Sequence, residues 1–150
     1  MKSAMSILLS ILICFFLLVI APLRIDVAQT NANLSADLDN QASNFIDAVI
    51  DTGYLDHKDL EDFYLKMAGS GCVVDVEIER YVLVSSGKND GTTYQSYVPS
   101  EKIEGRWNKG DKIKVSWNLV AYDKTTVVLQ RLLHYSPREI KGSYTGRVRI

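Results

Sequence analysis

MSILLSILICFFLLVIAPLRID, Met5–Asp26, is the stretch whose reading decides the fold. No charge falls between Met5 and Leu23, and Ser6 and Ser10 can bond their own helix backbone. A helix of roughly 20 apolar residues spans the hydrocarbon core of a bilayer, so this run is long enough to cross. A secretory signal has a shorter apolar core, about 7–15 residues, and closes on a small-x-small cleavage site. Here the apolar run ends in Pro22-Leu23-Arg24-Ile25-Asp26, and the best small-x-small candidate, Thr30-Asn31-Ala32, lies detached from it. Ile13 precedes Cys14 where a lipoprotein signal would need a small residue. The reading is a retained, uncleaved anchor. Lys2 is the only charged side chain before it, and Arg24 beyond it is offset by Asp26, so the positive-inside bias is slight. With so few residues ahead of the span, the simpler orientation leaves residues 1–4 in the cytoplasm, 5–23 in the membrane and the rest outside.

The apolar pattern does not stop at Pro22. Val27, Leu34, Leu38, Phe45 and Val49 recur at helical spacing, with Asp37, Asp39, Asn40, Asn44 and Asp47 between them. That predicts an amphipathic helix over 24–53. Asn31–Asn33 is its poorest helix-forming segment, and Thr52-Gly53 is its stop. Val27, Leu34 and Leu38, nearest the membrane, are the candidate assembly interface, because apolar side chains on a solvated helix gain nothing unless something covers them. Phe45 and Val49 belong instead to the core of the domain over 54–150. A second, short helix follows: Asp56 as N-cap, Asp59 in its first turn, Leu55 and Leu60 as a hydrophobic staple, and Leu60, Phe63, Tyr64 and Met67 as its apolar stripe.

From Cys72 the period changes to two. Val74, Val76 and Ile78 alternate with Asp75, Glu77 and Glu79, and the strand can run on through Val84. Asp90-Gly91 marks a hairpin turn, and Thr92–Val98 the returning strand, closed by Pro99. After the turn Lys109-Gly110-Asp111, Ile113, Val115, Trp117 and Leu119 alternate with polar residues. Asp123-Lys124 turns the chain into Thr125–Leu133, and Ser143–Ile150 is the last, edge-like strand. Helices first and strands afterwards give an α+β fold: an N-terminal transmembrane helix continuing into a long amphipathic helix, a short second helix, then an antiparallel β-sheet packed on the helices. Its core is expected from Phe45, Val49, Leu60, Phe63, Met67, Val76, Ile78, Val115 and Trp117.

Chemistry is sparse in this pattern. Lys+Arg total 17 against 18 Asp+Glu, so nucleic acid is not an expected partner. Cys14 lies in the span and Cys72 outside it, which leaves Cys72 a free thiol or an intermolecular link. His57 and His134 are far apart in sequence, and no zinc spacing, phosphate loop or nucleophile elbow occurs. Asp56, Asp59, Glu61 and Asp62 lack the ligand pattern of a calcium loop and suit the positive end of a helix. Asp75, Glu77 and Glu79 form an acidic row that Lys112 and Lys114 can face across the sheet. No catalytic residue, metal or cofactor is expected. All eight tyrosines lie outside the span, and Tyr94 and Tyr97 are candidates for a contact surface.

The order of elements resembles pilins and pseudopilins. More narrowly, NQASNFIDAVIDTGYLDHKDLEDFYLKMAGSG looks like the TadE-like minor pilins of Gram-positive pilus or conjugation-type clusters. Over residues 5–84 the same organisation follows: a helix facing the assembly, a Thr-Gly turn, an acid-capped helix, then a strand. A type IV prepilin would add a glycine before its cleavage site and a glutamate early in the apolar helix, and neither is here. VirB-type inner-membrane scaffold proteins also put a helix-and-sheet domain behind one span. The resemblance implies a non-catalytic structural subunit in the cytoplasmic membrane with its C-terminal domain extracytoplasmic. Its partners would be the lipid bilayer and other membrane or pilus-like subunits, met through the N-terminal helix, with a homo-oligomer among the assemblies allowed. The rival reading is an anchored ligand-binding or sensing domain, which a pocket lined by Tyr94, Tyr97, Trp107 and Trp117 would favour.

Overall fold

Two helices and a wide turn make one rod at the N-terminus. The computed structural model describes residues 2–150 apart from 88–90, 123, 133 and 135–138. Helix α1 covers Lys2–Phe15, a π-helical turn covers Phe16–Ile20, and α2 covers Ala21–Thr52. The wide turn has a local cause. Pro22 has no N–H to donate and its ring crowds the carbonyl four residues back, which an ordinary α-turn cannot absorb. The backbone opens there, and the Ala21 N–H donates to the Phe16 carbonyl, five residues away. Asn31–Asn33 does not interrupt α2. Gly53 ends it in the left-handed region at φ 61°, donating its N–H to the Val49 carbonyl at 2.9 Å.

Strand β1 (Tyr54–Leu55) leads into α3 (His57–Ala68), where the Asp56 side chain accepts the His57 N–H as its N-cap. Then come β2 (Val73–Gly87), β3 (Thr93–Ser100), β4 (Gly105–Arg106), β5 (Lys112–Ala121), α4 (Lys124–Leu132) and β6 (Lys141–Arg147). The main sheet is antiparallel in the order β3-β2-β5-β6, and β1 pairs with β4 in a separate two-stranded ribbon. The sequence expectation of an α+β chain with an antiparallel sheet on the helices holds. The β2–β3 hairpin forms, although residues 88–90 of its expected turn lie outside the described residues. Pro99 does not close β3, which runs on to Ser100.

The stretch after Asp123 departs from a run of strands. Thr125, Thr126, Val127 and Val128 favour a strand by side-chain type, yet Lys124–Leu132 is a helix. Val128 and Leu132 stand four apart on one side of it, a helical period that outweighs the β-branched composition here.

One face of the sheet lies on α2 and α3. Ile113, Val115, Trp117 and Leu119 of β5 meet Leu38, Ala42, Phe45, Ile46, Val49 and Ile50 of α2 in a single core, joined by Phe63 and Met67 of α3 and Ile78 of β2. Leu60 and Val76 are half-buried against it. The second half of α2, from Leu34 on, thus packs into the same core as the sheet. Two glycines on β6 allow the close approach: a Cβ on Gly146 would strike Ile46 and Ile50, and one on Gly142 would strike the Trp117 ring.

Candidate functional site

The rod is the most distinctive surface of the molecule. Every residue from Ala4 to Val19 is exposed, and the helix Ala4–Thr52 is long and apolar enough to cross a membrane. Burial begins above it. Val27 is 5% exposed and Leu38 fully buried, while Leu34 packs half-buried against the core. The fold therefore corrects the expected interface. Leu38 and Val27 are covered by this chain's own side chains, which leaves them no area to offer another subunit. The apolar surface left exposed lies lower, over Met5–Val19.

The two tyrosines of the expected contact surface are not brought together. Tyr94 faces Ser86 and Tyr97 faces Leu83 across the hairpin. Residues three apart on a strand point to opposite sides of a sheet. Tyr97 is engaged within the chain: its hydroxyl donates to the Gly110 carbonyl at 3.3 Å, and the Lys112 ammonium sits 3.8 Å from its ring centre. Tyr94 is 60% exposed on the helix side, because α2 has ended at Thr52 before the hairpin reaches that level. Trp107 and Trp117 are buried in the core, so the four aromatics line no common pocket.

Sequence reasoning missed the most tightly built polar cluster. Asp111 is 1% exposed and Arg80 is 7% exposed. The Arg80 Nη2 donates to Asp111 Oδ2 at 2.9 Å and to the Arg106 carbonyl at 3.0 Å, and the guanidinium lies 4.5 Å from the Trp107 ring centre. Asp111 also accepts the backbone N–H groups of Leu83 at 3.2 Å and Asn108 at 3.1 Å. These contacts clamp the loop over 101–111 onto β2. A signal was present: Arg80 continues the inward series Val74, Val76, Ile78, so a strand reading had to place it facing the core.

On the other face of the sheet, Glu79 lies opposite Lys114 and bonds it, as the charge pattern suggests. Hydrogen bonds from Lys114 and then Tyr81 hold the Glu79 carboxyl below its usual range. Both side chains are only half-buried at the sheet surface, where water screens the pair, so it is worth little to stability. Asp56 serves as the helix cap, and among the described residues no group of three or more His, Cys, Asp and Glu side chains could hold a metal ion. Cys14 and Cys72 are free thiols, Cys72 half-buried against the core.

His57 is tied to the loop before β4: its Nδ1 lies 2.8 Å from Glu104 and its Nε2 lies 3.3 Å from Glu61. The hydrogen bond to Glu104, reinforced by both carboxylates' charge, raises the imidazole pKa above 6.5. A raised folded-state pKa means the contact helps fully below the unfolded value and fades as pH rises through the folded one. Glu104→Gln is expected to move the His57 titration, followed by NMR of its ring protons, back down toward 6.5. An unmoved midpoint would show that the two side chains do not meet.

No protein family, curated protein or solved structure matches this chain. The described geometry nonetheless sorts its surfaces clearly. The N-terminal half of the rod presents bare apolar side chains, the sheet's outer face presents the Glu79–Lys114 pair beside Asp75 and Glu77, which lie opposite Asn118 and Ser116, and an open groove of about 340 Å³ runs between α2 and α3 over Phe45, Val49, Leu55 and Phe63.

Proposed function

We propose that the chain is a non-catalytic, membrane-anchored structural subunit of a pilus-like, secretion or conjugation apparatus, with its domain on the extracytoplasmic side. The observation that carries this reading is the continuity of the rod. The same helix that offers an uncharged, exposed surface over Met5–Val19 supplies the core of the folded domain with its second half. A domain built on the helix that leaves the membrane moves with that helix as one body, which suits a part that stacks beside others. Neighbouring subunits would meet it through the span, where van der Waals packing between helices drives association.

The test is site-directed photocrosslinking in native membranes, with a benzophenone side chain placed at Ile11 or Leu18. Protein adducts at defined positions around the helix are the expected result. Adducts to lipid alone at every position would replace this reading with that of an anchored ligand-binding domain. The groove over Phe45 and Phe63 favours that second reading, since its apolar floor and polar rim suit a small amphipathic ligand.

A further inference from the structure

Besides Leu65 of α3 and Tyr94 of β3, the most exposed apolar side chains of the folded domain form one group. Val73, Val120, Val128 and Leu132 are 60%, 63%, 56% and 71% exposed, larger fractions than most of the domain's other apolar side chains show. All four fall at one end of the sheet. Val73 opens β2 and pairs with Ala121 at the close of β5, next to Val120, and α4 follows directly. That end lies beside the lower part of α2, because Cys72, Tyr122 and Thr126 line one groove with Thr30, Asn31 and Leu34. The opposite end is high on the rod, where Ile113 pairs with Gly146 beneath Ile46 and Ile50.

The distances bring this lower end close to lipid. At 1.5 Å per residue the uncharged run Met5–Leu23 is about 28 Å long, near the thickness of a bilayer's hydrocarbon core. Val27, already buried by the domain, stands only about 6 Å beyond Leu23, and Thr30 about 10 Å beyond it. The headgroup layer fills about 5–8 Å of that space. The domain therefore stands at the membrane surface with no solvated stalk between.

Helix α4 has the composition for that place. Val128 and Leu132, four residues apart, share one side, and the exposed cations Lys124 and Arg131 flank them. An apolar strip bordered by basic residues lies in the plane of a bilayer interface and gains from anionic headgroups. The geometry points to α4, with Val73 and Val120 beside it, as a surface by which the domain rests on the anionic lipid face of the membrane that its own rod crosses. This rests on the membrane-anchor part of the reading above, not on any partner subunit.

The experiment uses the full chain carrying Cys14→Ser and Cys72→Ala, reconstituted at low protein density into phosphatidylcholine–phosphatidylglycerol vesicles. An environment-sensitive fluorophore is attached at one introduced cysteine at a time: Leu12→Cys, Tyr94→Cys, Val128→Cys or Leu132→Cys. Nitroxide lipids labelled near the headgroup or deep in the acyl chain act as quenchers. The expected result is a blue-shifted label at 128 and 132, quenched by the shallow nitroxide, with the label at 94 remaining in water. Lys124→Glu with Arg131→Glu, or added salt, should weaken that quenching in the anionic vesicles. A label at 12 quenched by the deep nitroxide while those at 128 and 132 stay in water would overturn this proposal and leave the anchor standing. No quenching at 12 would overturn both. Protection at 132 that appears only when protein density is raised would mark contact with a second copy instead, and would also overturn it.

Discussion

Asp111→Ala is expected to lower the stability of the domain by about 3–5 kcal/mol, the range for breaking a buried ion pair from one side. The substitution leaves the Arg80 guanidinium charged beneath the loop and beside Trp107, and it removes the acceptor for the Leu83 and Asn108 amides at the same stroke. Arg80→Met with Asp111→Leu should recover part of the loss, since no charge then remains buried, though the two orphaned amides keep it below wild type. Both tryptophans are buried in the domain core, so their fluorescence reports unfolding of the domain in the detergent-held full chain without interference from the span. Matching melts for wild type and Asp111→Ala would show that the clamp is open to water.

Trp117→Ala should cost a similar amount, about 3–5 kcal/mol, from lost transfer energy and the cavity left behind. The ring sits at the centre of β5 and reaches under β6, where Gly142 leaves it room. The neighbouring glycine gives a second handle. Gly142→Ala would drive a methyl group into the indole and should destabilise by about 1–3 kcal/mol, as overpacking does. In a Trp117→Phe background the same glycine change should cost much less, because the smaller ring no longer reaches that far. Additive effects of the two changes in a tryptophan-fluorescence or near-UV melt would rule out the contact.

The sequence carried the fold further than it carried the surfaces. Period-two alternation at Ile113–Leu119 and at Val74–Ile78 located the two central strands, and Asp56 with Leu55 and Leu60 located the start of α3. Composition misled at Thr125–Val128, where threonine and valine favour a strand but apolar spacing favours a helix. The interface expectation failed at Val27 and Leu38 for a different reason. Periodicity reveals that a face is covered but not which chain covers it, and here the chain covers its own. Tyr94 and Tyr97 lay close in sequence and on opposite sides of a sheet, a separation visible only once the register is known. Arg80 was visible by alternation, yet its partner Asp111 sits 31 residues on in a turn, a pairing that only the closed fold makes.

The rod has a mechanical consequence. Ala21–Thr52 is an uninterrupted helix about 48 Å long, rigidly packed to the sheet over its upper half. Its foot is the widened turn at Phe16–Ile20, the one place in the rod where the regular bonding pattern gives way. With its apolar half held in a bilayer as proposed above, the rod is a lever pivoted at that turn. A tilt of ten degrees at that pivot would sweep the end of α2 through about 8 Å, and the hairpin beyond it further still. Small changes in bilayer thickness or in the packing around the span would reach the far end of the domain as a displacement, magnified by the arm that carries them.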